Sequence, residues 1–175
     1  MNNKYTISSL FLCLLLTTSY LLPVDSVYAA YVLPYPSFMP GNKAYKVSRI
    51  IDQVKKFWYW GSIASVKYHL GLADKYLVEA KILFEYKQYL LATDALKRSD
   101  MEFLAIPQFV ARAKEEGKDV SLLEKTVNEA AQVHVLALET LKQTLPAEFI
   151  WTPEKKESTA LHIASLLEQS VQFRR

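Results

Sequence analysis

The sequence predicts an all-α protein, a four- or five-helix up-and-down bundle preceded by an extended proline-rich strap. Three observations support this fold class. Beyond Asn42, apolar residues recur at steps of three and four, the period of a helix packed on one side, and no convincing alternating strand pattern occurs. Residues 30–42 contain Pro34, Pro36 and Pro40, a density that excludes regular helix and favours an extended path. Residues 1–29 have the composition of a targeting segment, which leaves residues 43–175 for the bundle domain.

Residues 1–29 are predicted to be an export signal. Lys4 supplies a positive start, residues 7–22 supply an apolar run, and Val27-Tyr28-Ala29 fits a cleavage site before Ala30. The alternative is an uncleaved membrane anchor, because residues 5–24 are about long enough to cross a bilayer. Both readings predict an exported protein that is periplasmic, extracellular or envelope-associated.

Composition excludes several classes of chemistry. The net charge of the 175-residue chain is +3 and its basic residues are scattered, which does not suit a nucleic-acid-binding protein. Its one cysteine, Cys13, lies in the predicted signal, so the exported form is expected to lack disulfides, thiolate ligands and a cysteine nucleophile. Only four glycines are present, which disfavours phosphate-binding and dinucleotide-binding loops.

The strap itself is apolar, whereas an exposed linker is normally polar. We therefore expect its side chains to pack along the outside of the helical body. The alternative is a docking peptide for an envelope partner. The apolar residues concerned are Tyr31, Leu33, Tyr35, Phe38 and Met39.

The first two helices have different patterns. The first is predicted to begin after Asn42, which can cap it, and to end near Trp60. Its buried face is expected to contain Tyr45, Val47, Ile50, Ile51, Val54 and Phe57 or Trp58. The second carries a regular packing seam of Ile63, Val66, Leu70, Ala73, Leu77, Ala80 and Phe84. Its opposite side is expected to be covered by another helix or offered to a partner, and consists of Tyr68, Leu72, Ile82 and Tyr86.

A short turn at residues 86–88 predicts an antiparallel hairpin with a third helix, in which Pro107 should kink or split the chain. Its seam is Ala92, Leu96, Ser99, Phe103, Ile106, Val110 and Ala113, and Gly117 should end it.

The last two helices are predicted from their start signals. Ser121 and Glu124 are expected to form a capping box for the fourth helix, and Thr152-Pro153 to start the fifth. The fourth is expected to pack through Leu123, Val127, Ala131, His134, Leu138 and Leu141. The fifth is expected to pack through Ala160, Ile163, Ala164, Leu167 and Val171.

One aromatic cluster is a candidate contact with a partner or a membrane. Amphipathic aromatics beside Lys55 and Lys56 suit the headgroup layer of a bilayer, although large aromatics also plug helix joints. The same question applies to aromatic residues on the second helix. The candidate contact residues are Phe57, Trp58, Tyr59, Trp60, Tyr68, Leu72 and Tyr76.

No catalytic, metal or cofactor site is predicted. His69, His134 and His162 lie on three different predicted helices, and none belongs to a Glu-x-x-His or His-Glu-x-x-His pairing. Adjacent acidic residues such as Glu115 and Glu116 do not converge on one substrate atom. The chain is therefore not expected to be an enzyme, and a metal- or small-ligand-binding bundle stays open as an alternative.

The segment 34–40 (PYPSFMP), followed by Tyr45 and a helix, resembles the opening of an uncharacterised family of small exported bacterial helical domains, the domain of unknown function number 5667. Residues 72–81 look like the first helix of that family's hairpin, and residues 89–92 like the entry to its second. The likeness covers about residues 33–103. The resemblance implies location and fold, and implies no reaction.

We therefore expect an exported, non-enzymatic helical binding or structural module of the bacterial cell envelope. A protein partner in the envelope is one expected contact, and a membrane surface is the other. The sequence leaves the oligomeric state open.

Overall fold

The computed structural model describes residues 30–154 and 157–175, and the predictions made for residues 1–29 lie outside this part of the chain. Residues Tyr31–Arg175 form one compact unit. The described residues contain α1 (Lys43–Lys55), α2 (Ser62–Glu85), α3 (Tyr89–Leu104), α4 (Ile106–Glu115), α5 (Ser121–Thr144), β1 (Phe149–Trp151), β2 (Thr159–Leu161) and α6 (Ile163–Gln172). The fold is an all-α bundle, as predicted, and it also contains one small two-stranded sheet that the sequence analysis did not predict. No helix in this part of the chain combines the length and apolarity needed to span a bilayer.

The centre of the bundle is the seam of α2. Leu77, Ala80 and Phe84 pack with α3, α5 and α6 in the main hydrophobic cluster, and Val66, Leu70 and Ala73 pack in a second cluster with α4 and α5. The predicted seam positions from Val66 to Phe84 are buried, and Ile63 is partly buried against the second cluster. This prediction is confirmed.

Pro107 splits its helix. α3 ends at Leu104 and α4 begins at Ile106, with Pro107 in the first turn of α4. Because proline has no backbone N–H, it is tolerated at the start of a helix, where that group has no partner within the helix. The seam continues across the break, since Phe103, Ile106 and Ala113 are all buried.

The predicted capping box of α5 does not form. The Ser121 backbone N–H donates to Asp119 Oδ1 at 2.9 Å, and the Glu124 carboxylate instead pairs with Lys114 at 2.7 Å. The Asp119 carboxylate thus accepts from the first backbone N–H of the helix in an Asx-type turn, while the N-cap residue, Val120, makes no side-chain capping bond. The predicted seam of α5 includes the buried Leu123, and its other fully or mostly buried members are His134, Leu138 and Leu141.

The start of the last helix was predicted wrongly. Residues 149–151 pair antiparallel with residues 159–161, with Ile150 opposite Ala160, so Thr152-Pro153 lies in the hairpin and α6 begins at Ile163. Each strand has three residues, which is too short for an alternating pattern to be recognised. Ile163, Leu167 and Val171 are buried as predicted, whereas Ala160 belongs to β2.

The strap has no regular secondary structure from Ala30 to Met39, and only part of it packs on the body. Leu33 and Met39 contact the main cluster and Tyr31 contacts the second cluster. Tyr35 and Phe38 are exposed, contrary to the prediction for those two residues.

The buried face predicted for α1 is also wrong. Asp52 is buried, whereas the apolar residues Val47, Ile50, Ile51 and Val54 are exposed. The helix begins as predicted, with Asn42 Oδ1 accepting from the Ala44 backbone N–H, but it ends at Lys55 rather than near Trp60. α1 therefore lies on the bundle with its polar side inward.

The orientation of α1 can be tested by comparing the substitution of a buried residue of α2 with that of an outward-facing residue of α1. Leu77→Ala should lower the free energy of unfolding by about 2–5 kcal/mol, because the side chain is fully buried in the main cluster. Ile50→Ser should change it by less than about 0.5 kcal/mol, because that side chain is 60% exposed. Urea unfolding of the two variants measures the difference. A loss above about 2 kcal/mol for Ile50→Ser would show that α1 packs through its apolar side.

Candidate binding surface

The outward side of α1 is the candidate site, and it consists of an apolar stripe. The stripe exists because polar contacts hold the opposite side of the helix on α2. We call it the α1 apolar face, and it comprises Val47, Ile50, Ile51 and Val54.

Three polar contacts position α1. The Asp52 carboxylate forms an ion pair with the Lys75 ammonium, which also donates to Ser48 Oγ at 3.0 Å. The Tyr68 hydroxyl donates to the Asp52 carbonyl oxygen at 2.9 Å. Because these acceptors and donors lie on one side of α1, the helix cannot rotate without breaking them.

The other end of α1 is held by Tyr45, whose hydroxyl donates to Glu79 Oε1 at 2.7 Å and accepts from Arg98 Nη1 at 3.1 Å. Burial raises the pKa of Glu79, and the hydrogen bond from Tyr45 opposes this effect. Burial also raises the pKa of the Tyr45 phenol, as does its hydrogen bond to Glu79. The phenol therefore stays protonated at neutral pH and acts as the donor.

Arg49 completes the contact between α1 and α2. Its guanidinium carbon lies 5.3 Å from the centroid of the Tyr76 ring, a cation–π arrangement, and burial raises the pKa of Tyr76 to about 12. Arg49 Nη1 and Glu79 Oε2 are buried without a hydrogen-bond partner in the described structure. The buried polar groups between α1 and α2 are therefore less completely hydrogen-bonded than those inside the bundle.

Residues 57–60 form an aromatic turn at the end of α1. The Trp58 backbone N–H donates to the Lys55 carbonyl at 2.8 Å, and Gly61 ends the turn at φ 91°, a conformation that favours glycine. The Trp58 side chain is 82% exposed and that of Trp60 is 85% exposed. Phe57 is also exposed, as is Tyr59, although the Tyr59 ring tilts against the Tyr68 ring at a centroid distance of 5.4 Å.

The predicted contact residues thus separate into two groups. Phe57, Trp58, Tyr59 and Trp60 are exposed and follow α1 directly in the chain. Tyr68, Leu72 and Tyr76 are buried in a small cluster of their own, and Asp52 and Arg49 of α1 contact Tyr68 and Tyr76. While α1 is seated, these three residues of α2 are not available to a partner.

Lysines surround the apolar face. Residues 43–60 contain five basic residues and one acidic residue, Asp52, which is turned inward. Lys43, Lys46, Lys55 and Lys56 are all exposed. Of these, Lys55 lies 3.9 Å from Asp52 and the others form no ion pair within the described residues. The outward charge of the segment is therefore positive.

The four apolar residues of α1 are the part of the site that the sequence analysis missed. A 3.6-residue period identifies one apolar side but does not show whether that side faces the core or solvent. The available signal was the other side of the helix, where Tyr45, Ser48 and Asp52 have partners on α2.

A second polar cluster lies wholly inside the bundle. The Arg174 guanidinium donates from Nη1 to Asp100 Oδ1 at 2.6 Å, from Nη2 to Ser99 Oγ at 2.8 Å and from Nε to His134 Nδ1 at 3.0 Å. His134 Nε2 lies 2.6 Å from Asp74 Oδ1. These side chains join α2, α3, α5 and the end of α6 in one network. We call it the Arg174 network.

The Arg174 network determines the state of His134. Because Nδ1 accepts from a guanidinium, it carries no proton, so Nε2–H must be the donor to Asp74. Burial lowers the pKa of His134, and this effect outweighs the opposing influence of Asp74. A neutral imidazole whose two nitrogens are both occupied is a structural element and has no free nitrogen for proton transfer or metal binding.

The other two histidines lie elsewhere. His69 Nδ1 lies 2.7 Å from Glu102 Oε2, and His162 Nδ1 lies 2.8 Å from Glu148 Oε1. The three imidazoles thus contact three different carboxylates. Within residues 30–154 and 157–175, no group of three or more His, Cys, Asp or Glu side chains is placed to hold a metal ion.

A groove of about 600 Å³ runs along α2 and α5. Its walls include the apolar side chains of Leu33, Phe84, Val133 and Leu141, and exposed Lys81 and Glu85 also line it. Lys87, Tyr89, Thr140 and Thr144 line it as well, so apolar walls and polar side chains alternate around the groove.

Comparisons of the chain with family models, curated proteins and solved structures found no match. The resemblance to the domain of unknown function number 5667 therefore stays a prediction. Within the described residues, the fold and the surface define a small helical bundle in which α1 turns an apolar side outward.

The Arg174 network should be necessary for folding stability. Arg174→Leu should lower the free energy of unfolding by about 3–5 kcal/mol, because it leaves Asp100, Ser99 and His134 buried without their partner. Urea unfolding measures the loss. Arg175→Leu is the control, since that exposed side chain makes one 3.4 Å contact with Glu139. Equal effects of the two substitutions would contradict the prediction.

Stability should also fall in mild acid. The folded pKa of His134 lies below its ordinary value of 6.5, so below about pH 6.5 the unfolded chain binds a proton that the folded chain does not. The free energy of unfolding should therefore decrease as the pH falls from 6.5 towards the folded pKa. Urea unfolding as a function of pH checks this for wild type and for His134→Gln. The substituted protein should not show the decrease that is due to His134. The control His162→Gln, at an exposed site, should show the same decrease as wild type. If the free energy of unfolding of His134→Gln changed with pH as steeply as that of wild type, the assignment of the decrease to His134 would be refuted.

Proposed function

We propose that this protein is an exported, non-enzymatic binding module of the cell envelope. Its binding surface is the α1 apolar face together with the aromatic turn. The observation that carries this proposal is the orientation of α1, which contacts the bundle through Tyr45, Asp52 and Arg49 and leaves Ile50 and its apolar neighbours exposed.

The cost of exposing apolar surface to water supports the proposal that this surface binds a partner. A single exposed apolar residue is ordinary on a protein surface, but contiguous apolar patches are rare on soluble monomers and typically mark sites of association. Here four aliphatic residues of one helix and four aromatic residues of the following turn are exposed in one stretch of chain. Covering this stretch removes apolar surface from water, which favours association.

The contacts beneath α1 support the same proposal. Tyr68 and Tyr76 give the helix a buried seat, while Asp52 and Lys75 set its rotation. A helix that only covered the core would gain more by turning its aliphatic side inward. The polar side of α1 instead has matching partners on α2 and α3, so the fold itself holds the apolar side outward.

The envelope location of the proposal rests on sequence. The apolar run at residues 7–22, the cleavage pattern before Ala30 and the resemblance in residues 33–103 favour an exported protein. The lack of cysteine after residue 29 is compatible with an oxidising compartment because no thiol is left to form an unwanted disulfide.

Thiol labelling in intact cells tests the surface without assuming what covers it. In a Cys13→Ser background, Ile50→Cys carries the single thiol, and Leu122→Cys on α5 is the control because Leu122 is 71% exposed. Both thiols should react with a maleimide at similar rates in the purified protein. In cells, Ile50→Cys should react about tenfold more slowly, if its partner is present at about ten times the dissociation constant. Equal rates for the two sites in cells would refute the proposed surface.

A further inference from the structure

We propose that the partner of the α1 apolar face is an anionic lipid surface, on which α1 lies parallel to the membrane plane. This inference rests on the proposed function and names its partner. Three features of α1 and the aromatic turn support it. They are the width of the apolar stripe, the placement of the lysines and the position of the tryptophans.

The width of the stripe suits an interface. At about 100° per residue, positions 47, 50, 51 and 54 fall within a sector of about 100°. A helix that is apolar over such a sector and polar elsewhere lies in the plane of a bilayer, with the apolar side among the acyl chains. The 13-residue length of α1 is enough for this arrangement.

The lysines border the stripe on both sides. By the same angular spacing, Lys46 lies about 100° from Val47 on one side and Lys55 about 80° on the other. Their alkyl chains can lie along the apolar surface while the ammonium groups reach lipid phosphates. Lys43 and Lys56 extend the positive charge to the two ends of the helix.

The charge of this segment differs from that of the rest of the chain. Residues 43–60 carry five basic residues and one acidic residue, whereas the whole chain has a net charge of +3. The segment therefore accounts for the entire positive excess. Its one carboxylate, Asp52, is buried against Lys75 and does not face the proposed membrane. This separation is complementary to an anionic surface.

The tryptophans lie where a membrane interface favours them. Trp58 and Trp60 follow Lys55 and Lys56 directly, and both indoles are more than 80% exposed. Indole rings concentrate at the headgroup level, where an apolar ring and a polar N–H are both accommodated. The Trp60 Nε1–H donates to the Phe57 carbonyl, so Phe57 and Trp60 are linked within the aromatic turn.

A protein partner fits this surface less well. Protein interfaces are enriched in aromatic residues but depleted of lysine, because burying an ammonium without a partner is costly. Here Lys46 and Lys55 border the stripe directly, so a protein groove deep enough to cover Ile50 would approach both ammonium groups. A bilayer avoids the cost, because lysine side chains reach its charged headgroups.

Vesicle co-sedimentation of the exported protein, as recovered from cells with its N terminus read by mass spectrometry, tests the proposal. Partition should be strong onto vesicles containing anionic phosphatidylglycerol, weak onto phosphatidylcholine alone, and reduced by salt. Ile50→Glu with Val54→Glu should weaken partition at least about tenfold, since burying one such side chain contributes about that factor. The control Leu122→Glu with Leu136→Glu alters two exposed leucines of α5 and should leave partition unchanged.

A second matched pair of variants tests the contribution of the α1 lysines to vesicle binding. Lys46→Glu with Lys56→Glu should weaken partition by about tenfold or more at low salt, because each lysine near an anionic surface contributes roughly a factor of five. Lys81→Glu with Lys97→Glu, at exposed positions on α2 and α3, changes the net charge by the same amount and is the control. Equal weakening by the two pairs would show that only net charge matters and would overturn the assignment to α1.

Tryptophan fluorescence locates the contact even if residues 1–29 are retained. In Trp151→Phe, the two remaining tryptophans are Trp58 and Trp60. Their emission should shift to shorter wavelength on anionic vesicles and be quenched by brominated lipids. The control replaces all three tryptophans with phenylalanine and carries Leu122→Trp, which should be quenched much less. Absence of quenching at Trp58 and Trp60 would overturn the lipid proposal.

The two proposals fail separately. Protection of Ile50→Cys in cells without binding to anionic vesicles would overturn the lipid proposal and indicate a protein partner for the same face. Equal labelling in cells would overturn the proposed surface. Partition onto anionic vesicles that depends on Ile50, Val54 and the α1 lysines supports the lipid proposal.

Discussion

The Arg174 guanidinium is the interaction on which the bundle depends. It donates to side chains of two helices, Ser99 and Asp100 on α3 and His134 on α5, and lies 5.1 Å from the centroid of the Phe103 ring. Through His134 it connects to Asp74, whose other carboxylate oxygen accepts from the Tyr31 hydroxyl of the strap. Because each group of this network is buried, each needs its partner at the correct distance, and the packing of α2, α3, α5 and α6 is set accordingly.

α1 lies outside this network, and different interactions hold it on the bundle. The bundle buries the apolar seams of its other helices, whereas α1 is held by ion pairs, tyrosine hydroxyls and one cation–π contact. Such contacts orient a helix strongly but gain little from removing apolar surface from water. The apolar surface of α1 is therefore left available for association. The same separation explains why substitutions on the outward face should affect binding without affecting folding.

The predictions from sequence were accurate where one apolar seam faces one core. The steps of three and four in α2, from Val66 to Phe84, correspond to buried positions, and Pro107 interrupts the third predicted helix as expected. They were wrong where a nearby residue competes for the same role. The Asp119 carboxylate, rather than the side chains of Ser121 and Glu124, binds a backbone N–H at the start of α5, and the pairing of Ile150 with Ala160 displaces the start of α6 beyond Thr152-Pro153. The predictions for export and for family membership stay predictions, because they depend on residues 1–29 or on resemblance.

The sequence by itself determined the helical fold class and the α2 seam, because both depend on a local pattern of residue types. Only the tertiary structure decided which side of α1 is buried. Periodicity shows that a helix has an apolar side, but the direction of that side depends on which neighbour offers partners to the other. Lys75 and Glu79 on α2 offer those partners to Asp52 and Tyr45. For that reason the residues expected in the core of α1 form the outward surface proposed for lipid binding.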